Sequence, residues 1–142
     1  MCDKLIEYQN KNRERINRVA REYRKKRMKN DILFKLNMNI RNSIRQSFYN
    51  KSLKKKKVSK KILGCSFEEF KLYLESKFEN WMNWENRSLY NGQLNYGWDI
   101  DHIIPLSYAK TEEDLYKLNH YTNLQPLCSF TNRVLKKDKI YA

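Results

Sequence analysis

The chain has 142 residues and carries 30 Lys and Arg against 16 Asp and Glu, a formal net charge of +14. That length suits one ordinary domain, and no apolar run is long enough for a secretion signal or a membrane span. The composition therefore excludes a membrane-embedded protein. The three cysteines form no C-x-x-C pair and lie at no zinc-finger spacing from a histidine, so we expect free thiols, no structural zinc and a reducing cytoplasm.

The positive charge is concentrated in the first part of the chain. Residues 1–61 carry 21 Lys and Arg against 5 Asp and Glu, a net charge of +16, whereas residues 62–142 carry 9 against 11, a net of −2. Neutralising several phosphates releases counterions and gives affinity for nucleic acid without regard to sequence. We therefore predict that residues 1–61 form a basic arm that binds nucleic acid, while residues 62–142 carry the chemistry. Binding of the arm to a membrane surface is the alternative.

Two helices are predicted in the basic arm. Residues 3–29 contain no Gly or Pro and have a sparse apolar stripe, which favours a long exposed helix. Asp31 is a candidate cap for a second helix, with Arg41 and Arg45 one turn apart on a basic face predicted to bind DNA. The opposite face is apolar at four-residue steps, at Ile32, Leu36, Ile40, Ile44 and Phe48.

A Lys-rich linker, Lys51–Lys61, follows, and four of its lysines are predicted to contact DNA. They are Lys54, Lys55, Lys56 and Lys57. Gly64 suits the position that closes a short helical turn at residues 62–63. Ser66 and Glu69 have the spacing of a capping box, which predicts a core helix beyond them. Its apolar positions are Phe70, Tyr73, Leu74, Phe78 and Trp81. Further aromatic residues, which could stack on bases but more commonly pack in a core, follow at Trp84, Tyr90, Tyr96 and Trp98.

The run Trp-Asp-Ile-Asp-His-Ile-Ile-Pro-Leu, residues 98–106, is the most informative part of the chain. In a strand, Asp99 and Asp101 project to one face and His102 to the other, and Pro105 predicts that the strand ends nearby. Asp101 offers a hard oxygen to a divalent cation, and His102 offers a base that titrates near neutral pH. Both can reach one phosphate only if the strand ends at this point.

A second motif begins at Thr122 and reads Thr-Asn-Leu-Gln-Pro-Leu-Cys. Its apolar part, residues 124–128, is predicted to pair with the first strand as an antiparallel ribbon, with a short helix between them that begins at Thr111. Ser129 is a candidate N-cap, which would put Asn132 on the first turn of a final helix with its side chain directed toward the strand ends. Strand, loop, strand and helix make a ββα unit within an α+β fold that is mostly helical.

These residues resemble the HNH endonucleases of the ββα-metal superfamily, especially phage and mobile-element members and the HNH domain of RNA-guided CRISPR nucleases. The resemblance covers residues 98–139 and implies that Asp101 binds the metal while His102 deprotonates the attacking water. It also implies that Asn123 supports the His102 ring through the hairpin loop and that Asn132 is a metal ligand. The chain would then be an H-N-N variant.

Three positions remain open within this resemblance. Many relatives have a Lys three residues after the third motif position, where this chain has Leu135 followed by Lys136 and Lys137, so either lysine is a candidate phosphate contact. Asp99 is a candidate accessory ligand, against the alternative of an exposed strand carboxylate. His120 is a candidate accessory ligand or base, against the alternative of a side chain that holds the hairpin loop.

The sequence thus predicts a basic DNA-binding arm in residues 1–61 and an HNH nuclease domain in residues 62–142. The predicted reaction is hydrolysis of DNA phosphodiesters with one Mg²⁺, for which Mn²⁺ would substitute, leaving 5′-phosphate and 3′-hydroxyl ends. The predicted partner is double-stranded DNA, a homodimer is left open, and a phage protein would act in the host cytoplasm. The alternatives are a ribonuclease or toxin of the same fold, and a basic DNA-binding module without catalysis.

Overall fold

The structure is a computed structural model that describes residues 2–140, with nothing stated about the side chain of Cys2. Its elements in chain order are the helices α1 to α5, the strands β1 and β2, two short 3₁₀-helices and a C-terminal π-helix. Their bounds are α1 Cys2–Asn30, α2 Ile32–Asn50, α3 Ser59–Leu63, α4 Phe67–Ser76, β1 Trp98–His102, 3₁₀ Leu106–Tyr108, α5 Glu112–Leu118, 3₁₀ Tyr121–Asn123, β2 Leu124–Cys128 and the π-helix Thr131–Lys136. The chain divides into two compact units between Lys35 and Leu36. The mostly helical α+β class is confirmed.

The first unit is dominated by α1, as predicted. Its apolar stripe is exposed along the whole helix, at Leu5, Ile6, Ile16, Val19 and Tyr23. Asp31 caps the start of α2, since its Oδ1 accepts a hydrogen bond of 3.1 Å from the backbone N of Phe34. The Arg27 guanidinium lies 3.4 Å from Asp31 and 4.5 Å from the centre of the Phe34 ring, which ties the end of α1 to the start of α2.

The second unit has one core, and the part of α2 from Leu36 onward forms one side of it. The apolar face predicted for α2 is buried from Leu36 through Phe48, and these side chains belong to the same cluster as Phe70 of α4 and Leu115 of α5. Ile32, by contrast, is exposed. The apolar core around the motif strands therefore extends upstream of residue 62.

Two helix boundaries differ from the sequence prediction. Residues 59–61 of the predicted linker belong to α3, which ends at Gly64 with a φ of 86°, the left-handed conformation that favours glycine. Helix α4 begins after Ser66, whose side chain accepts a hydrogen bond from the Glu69 amide, but it ends at Ser76 and excludes Trp81. The helix stops there because the following aromatic residues turn inward to pack with β1.

Those aromatic residues form a cluster rather than a row of exposed rings. The centres of Phe78, Trp84 and Trp98 lie 4.9 to 5.4 Å apart in tilted and edge-on arrangements. Tyr90 and Tyr96 remain exposed. Packing is therefore the role of the tryptophans at positions 84 and 98.

The two strands form the predicted antiparallel ribbon, with Trp98 opposite Cys128 and His102 opposite Leu124. The connection between them contains α5, which begins with a reciprocal capping box between Thr111 and Asp114. Leu115 of α5 is fully buried. Within residues 2–140, no helix has the length and apolar character needed to cross a membrane.

Candidate functional site

The strand β1 ends at His102, and its side chains alternate between two sides of the ribbon. Asp99 and Asp101 face the C-terminal π-helix, where they contact Arg133 and Lys136. His102 contacts Asn119, which follows α5. The predicted alternation of the two acids and the histidine is confirmed.

Asp101 is paired with a buried lysine. Both of its carboxylate oxygens lie 2.6 Å from Nζ of Lys136, and the two side chains are only 6% and 1% exposed. Lys136 also donates to the backbone carbonyl of His102, and the side-chain amide of Gln125 donates to Asp101 at 3.0 Å. The lysine predicted to contact phosphate thus has its ammonium inside the protein, against the predicted metal ligand.

Asp99 anchors the last helical segment to β1. Its carboxylate accepts hydrogen bonds from Ser129, from Asn132 and, in bidentate fashion, from Arg133, all between 2.9 and 3.1 Å. Burial raises the pKa of Asp99, but the hydrogen bonds from Arg133, Asn132 and Ser129 outweigh it and leave the pKa below its usual value of 3.8. The N-cap prediction for Ser129 is wrong: the helical segment already includes Ser129, whose hydroxyl donates to Asp99.

His102 is largely enclosed and has one well-defined side-chain partner. Its Nε2 lies 3.0 Å from Oδ1 of Asn119. Burial lowers the pKa of His102, while the contact with Asn119 and the charge of Asp101 raise it and the charge of Lys136 lowers it further. The net pKa lies below 6.5, which keeps the imidazole neutral, the form that accepts a proton, at neutral pH.

Asn123 closes the base of the connection between the strands. Its side-chain oxygen accepts from the backbone N of Ile104 at 2.9 Å, and its side-chain nitrogen donates to the carbonyls of Ile104 and Leu118 at 3.1 and 2.8 Å. These bonds fix the backbone two residues beyond His102. The residue that contacts the His102 ring itself is Asn119.

A cavity of about 260 Å³ brings several of the predicted groups together; we call it the Asp101 cavity. It is bordered by Asp101 and His102 from β1 and by Asn132 and Lys136 from the π-helix. The exposed Lys137 and Asp138 complete its polar rim, with Pro105 and Leu106 among the remaining lining residues. Asp138 is a second carboxylate at this cavity that sequence reasoning did not single out.

The other predicted groups lie outside this cavity. The ring of His120 packs beside Tyr121, its Nδ1 lies 2.8 Å from the Thr122 hydroxyl, and a Cβ on Gly64 would come within 2.3 Å of it. His120 therefore holds the loop before β2. Arg41 and Arg45 are exposed on α2.

The linker lysines lie in the segment between α2 and α3, and two of them contact α5. The backbone N of Lys56 donates to the Tyr116 hydroxyl at 3.2 Å, and Nζ of Lys57 lies 4.6 Å from the Tyr116 ring centre. Lys54, Lys56 and Lys57 are exposed, and Lys55 is partly exposed. Their side chains are available to a polyanion along this segment.

Sequence reasoning also missed a buried arginine on the other side of His102. A second cavity of about 200 Å³, the Arg87 cavity, is lined by Arg87, His102, Asp99 and Asn119 among others. The Nε atom of Arg87 is buried and has no hydrogen-bond partner among the described residues. Burial lowers the pKa of this guanidinium and the nearby Asp99 raises it. No motif marks Arg87, because it is placed by a backbone bridge between its own strand segment and Trp98.

Comparison with known proteins finds two relatives in Acanthamoeba polyphaga mimivirus. The chain is 30% identical to Uncharacterized protein L246 over 118 residues, which is 82% of this chain and 48% of that protein. It is 34% identical to Uncharacterized protein L426 over 119 residues, which is 80% of this chain and 48% of that protein. The chain thus spans about half the length of these curated relatives. No protein-family model matches it, and neither does any solved structure.

Proposed function

We propose that this protein is a metal-dependent endonuclease of the HNH type that hydrolyses DNA phosphodiester bonds. The observation that carries the proposal is the Asp101 cavity, where a carboxylate, an imidazole and an amide from two elements border one space. Those three groups are the ones that the motif sequence selects for a cation ligand, a base and a second ligand. The hydrogen bonds of Asn123 to both polar backbone groups of Ile104 support the same assignment, since they hold the loop beside the base.

The donor groups at the cavity fit a hard divalent cation. Asp101 offers a carboxylate, and Asn132 donates its Nδ2 to Asp99 at 3.1 Å, so its side-chain carbonyl is the group left for another partner. The ammonium of Lys136 already lies against Asp101, which makes it a stand-in for a cation at this carboxylate. Among the described residues no three His, Cys, Asp or Glu side chains cluster closely enough to hold a metal, so water and phosphate oxygens would complete the coordination shell.

Mg²⁺ is the natural ion for a site with few oxygen ligands, and Mn²⁺ would substitute. When bound, Mg²⁺ would neutralise charge that develops on the phosphoryl oxygens and on the leaving oxygen. Asp101 and Asn132 would hold it. Lys136 would then have to leave the carboxylate, which frees its ammonium for a phosphate.

His102 acts as the general base in this proposal. Its lowered pKa keeps the ring neutral at physiological pH, so that it can take a proton from the attacking water. The base borders both cavities, and Arg87 brings a guanidinium to the second one. Guanidinium groups bind phosphate oxygens in a fixed fork geometry. A phosphodiester beside His102 would thus lie between positive charges on both sides.

DNA is the proposed substrate because of the charge distribution and the resemblance to DNA-cutting nucleases. The net charge of +16 on residues 1–61 contrasts with −2 on residues 62–142. The chemistry therefore lies in the near-neutral part, and most sequence-independent affinity comes from the basic part.

The test is cleavage of supercoiled plasmid DNA by the full chain, with Mg²⁺, with Mn²⁺ and with a chelator. We expect nicked or linear product only with a divalent cation, and a loss of about 10²- to 10⁴-fold in rate for His102→Ala with DNA affinity retained. His120→Gln is the matched control, since it removes the other histidine without touching either cavity and should cut normally. Cleavage of structured RNA in preference to DNA would favour the ribonuclease alternative. Binding without cleavage under every metal condition would favour the non-catalytic module.

A further inference from the structure

Asn119 is the most buried polar side chain that contacts His102. It is 1% exposed and follows α5 directly. Its Nδ2 lies 3.0 Å from the backbone carbonyl of Leu115 and 2.9 Å from the hydroxyl of Ser47 on α2. Because a carbonyl oxygen only accepts hydrogen bonds, the atom beside Leu115 must be the amide nitrogen of Asn119.

Ser47 reinforces this orientation. Its hydroxyl donates to the carbonyl of Ile44 at 2.6 Å, so its proton is already committed and its oxygen accepts from Asn119. The amide group is thus held by two acceptors on two different helices. Rotation of the Asn119 amide by half a turn would put its oxygen against the carbonyl of Leu115, which buries two acceptors face to face.

The orientation of Asn119 in turn selects the tautomer of His102. The atom that faces the ring is Oδ1, at 3.0 Å from Nε2. An amide oxygen has no proton to give, so Nε2 must carry the hydrogen and donate it. In the neutral ring, Nδ1 is then the nitrogen with the free lone pair.

We propose that Asn119 is a positioning residue that holds His102 as the Nε2-protonated tautomer and thereby makes Nδ1 the proton acceptor. The catalytic part of this inference rests on the proposed nuclease function, whereas the tautomer itself does not. The chain of contacts runs from Ile44 and Ser47 of α2 through Asn119 to the imidazole. Helix α2 therefore contributes to the orientation of the base although it carries none of the motif residues.

The first measurement is the tautomer of His102 in the full-length protein, read from the ¹⁵N chemical shifts of its ring at about pH 8, where imidazole is neutral. The chain has two histidines, so His120→Gln leaves the signals of His102 alone in the spectrum. We expect one Nε2-protonated tautomer with a slowly exchanging Nε2 proton. A ring protonated at Nδ1, or a mixture that averages the two forms, would overturn the proposal.

The second measurement is Asn119→Ala, which removes the acceptor of the Nε2 proton. We expect averaging between tautomers, faster exchange of that proton, and a plasmid-cleavage rate about 10- to 100-fold lower at unchanged DNA affinity. Ser47→Ala is the matched variant: it removes one anchor of Asn119 but not the contact with His102, so its effect on both readouts should be smaller. An Asn119→Ala protein that keeps a single Nε2-protonated tautomer and the full cleavage rate would also overturn the proposal.

The two proposals fail in different ways. If the wild-type ring has the expected tautomer but no substrate is cut, the nuclease function is wrong and the positioning of His102 by Asn119 stands as structure. If DNA is cut but the ring is protonated at Nδ1, the nuclease function stands and the role of Asn119 is wrong. Because the wild-type spectrum is decisive alone, a folding defect in Asn119→Ala would not prevent the test.

Discussion

Nζ of Lys136 lies 2.6 Å from each carboxylate oxygen of Asp101, in a pair that is almost completely withdrawn from solvent. A buried pair of this kind is costly to break by removing one partner, because the other charge is left without compensation. The pair also means that a metal cation and the lysine ammonium compete for one carboxylate. Binding of the metal therefore includes the cost of moving Lys136.

Lys136→Met tests this competition. Without a divalent cation, we expect the variant to lose about 3–5 kcal/mol of unfolding free energy, since Asp101 stays buried and unpaired. Mg²⁺ should then raise the melting temperature of the variant more than that of the wild type, because the ion binds the folded state and replaces the lost charge. Thermal unfolding with and without Mg²⁺ measures both effects. Lys137→Met, at an exposed position, is the control, and an equal response of both variants would contradict the pairing of Lys136 with Asp101.

Asn132→Ala tests the second proposed ligand. Loss of the side-chain carbonyl should raise the Mg²⁺ concentration needed for half-maximal cleavage, with partial recovery in Mn²⁺. The same change removes one hydrogen bond to Asp99, so a control is needed for that loss. Ser129→Ala also removes a donor to Asp99, at 3.0 Å, but no group of the Asp101 cavity. Equal metal requirements in the two variants would show that Asn132 acts through Asp99 and not as a ligand.

Asp99→Asn tests the anchor between β1 and the π-helix through its pH dependence. The pKa of Asp99 in the folded protein is below its ordinary value of 3.8, so the ionised form stabilises the fold above that pH and its contribution is lost as the pH falls. At neutral pH the variant should be less stable by about 1.5–3 kcal/mol, the range for hydrogen bonds to a charged group. Below about pH 4 the difference from the wild type should shrink. Urea unfolding at pH 7 and pH 3 measures it, and a constant difference would contradict the assignment.

Truncation separates affinity from catalysis. Residues 1–30 carry 11 Lys and Arg against 4 Asp and Glu, and the compact unit with the candidate site begins at Leu36. We expect residues 31–142 to fold and to cut DNA slowly, with weaker binding and a flatter dependence of affinity on salt, by roughly 0.9 in log–log slope per lost phosphate contact.

A fragment of residues 62–142 should behave differently. It lacks the buried face of α2, which packs in the same core as Phe70 and Leu115. We therefore expect it to be unfolded by circular dichroism, whereas residues 31–142 should show a cooperative thermal transition. A folded and active 62–142 fragment would contradict the role of α2 in this core.

The parts of the fold that the sequence predicted are those set by neighbouring residues. The start of α2 at Asp31, the end of α3 at Gly64 and the start of α5 at Thr111 each depend on a cap within a few residues. The two strands were predicted from alternation and from Pro105. Local signals of this kind are readable without knowledge of the tertiary structure.

The parts that the sequence did not predict depend on contacts between distant residues. Asn119 reaches Ser47, 72 positions away, and Lys136 reaches Asp101, 35 positions away. No spacing rule relates such pairs, because the packing of α2, α5 and the ribbon determines them. The early end of α4 has the same origin, since Phe78 packs against Trp98 instead of continuing the helix.

The connection between β1 and β2 gives the candidate site an unusual divisibility. Asp101 and His102 precede the 3₁₀-helix Leu106–Tyr108, which has no buried residues, while Asn132 and Lys136 follow it. A polypeptide broken within that exposed turn would yield two fragments, each with one strand of the ribbon and half of the cavity. Cleavage activity would then appear only when the fragments reassociate, which would make this protein a scaffold for a split enzyme whose output reports that two fused partners have met.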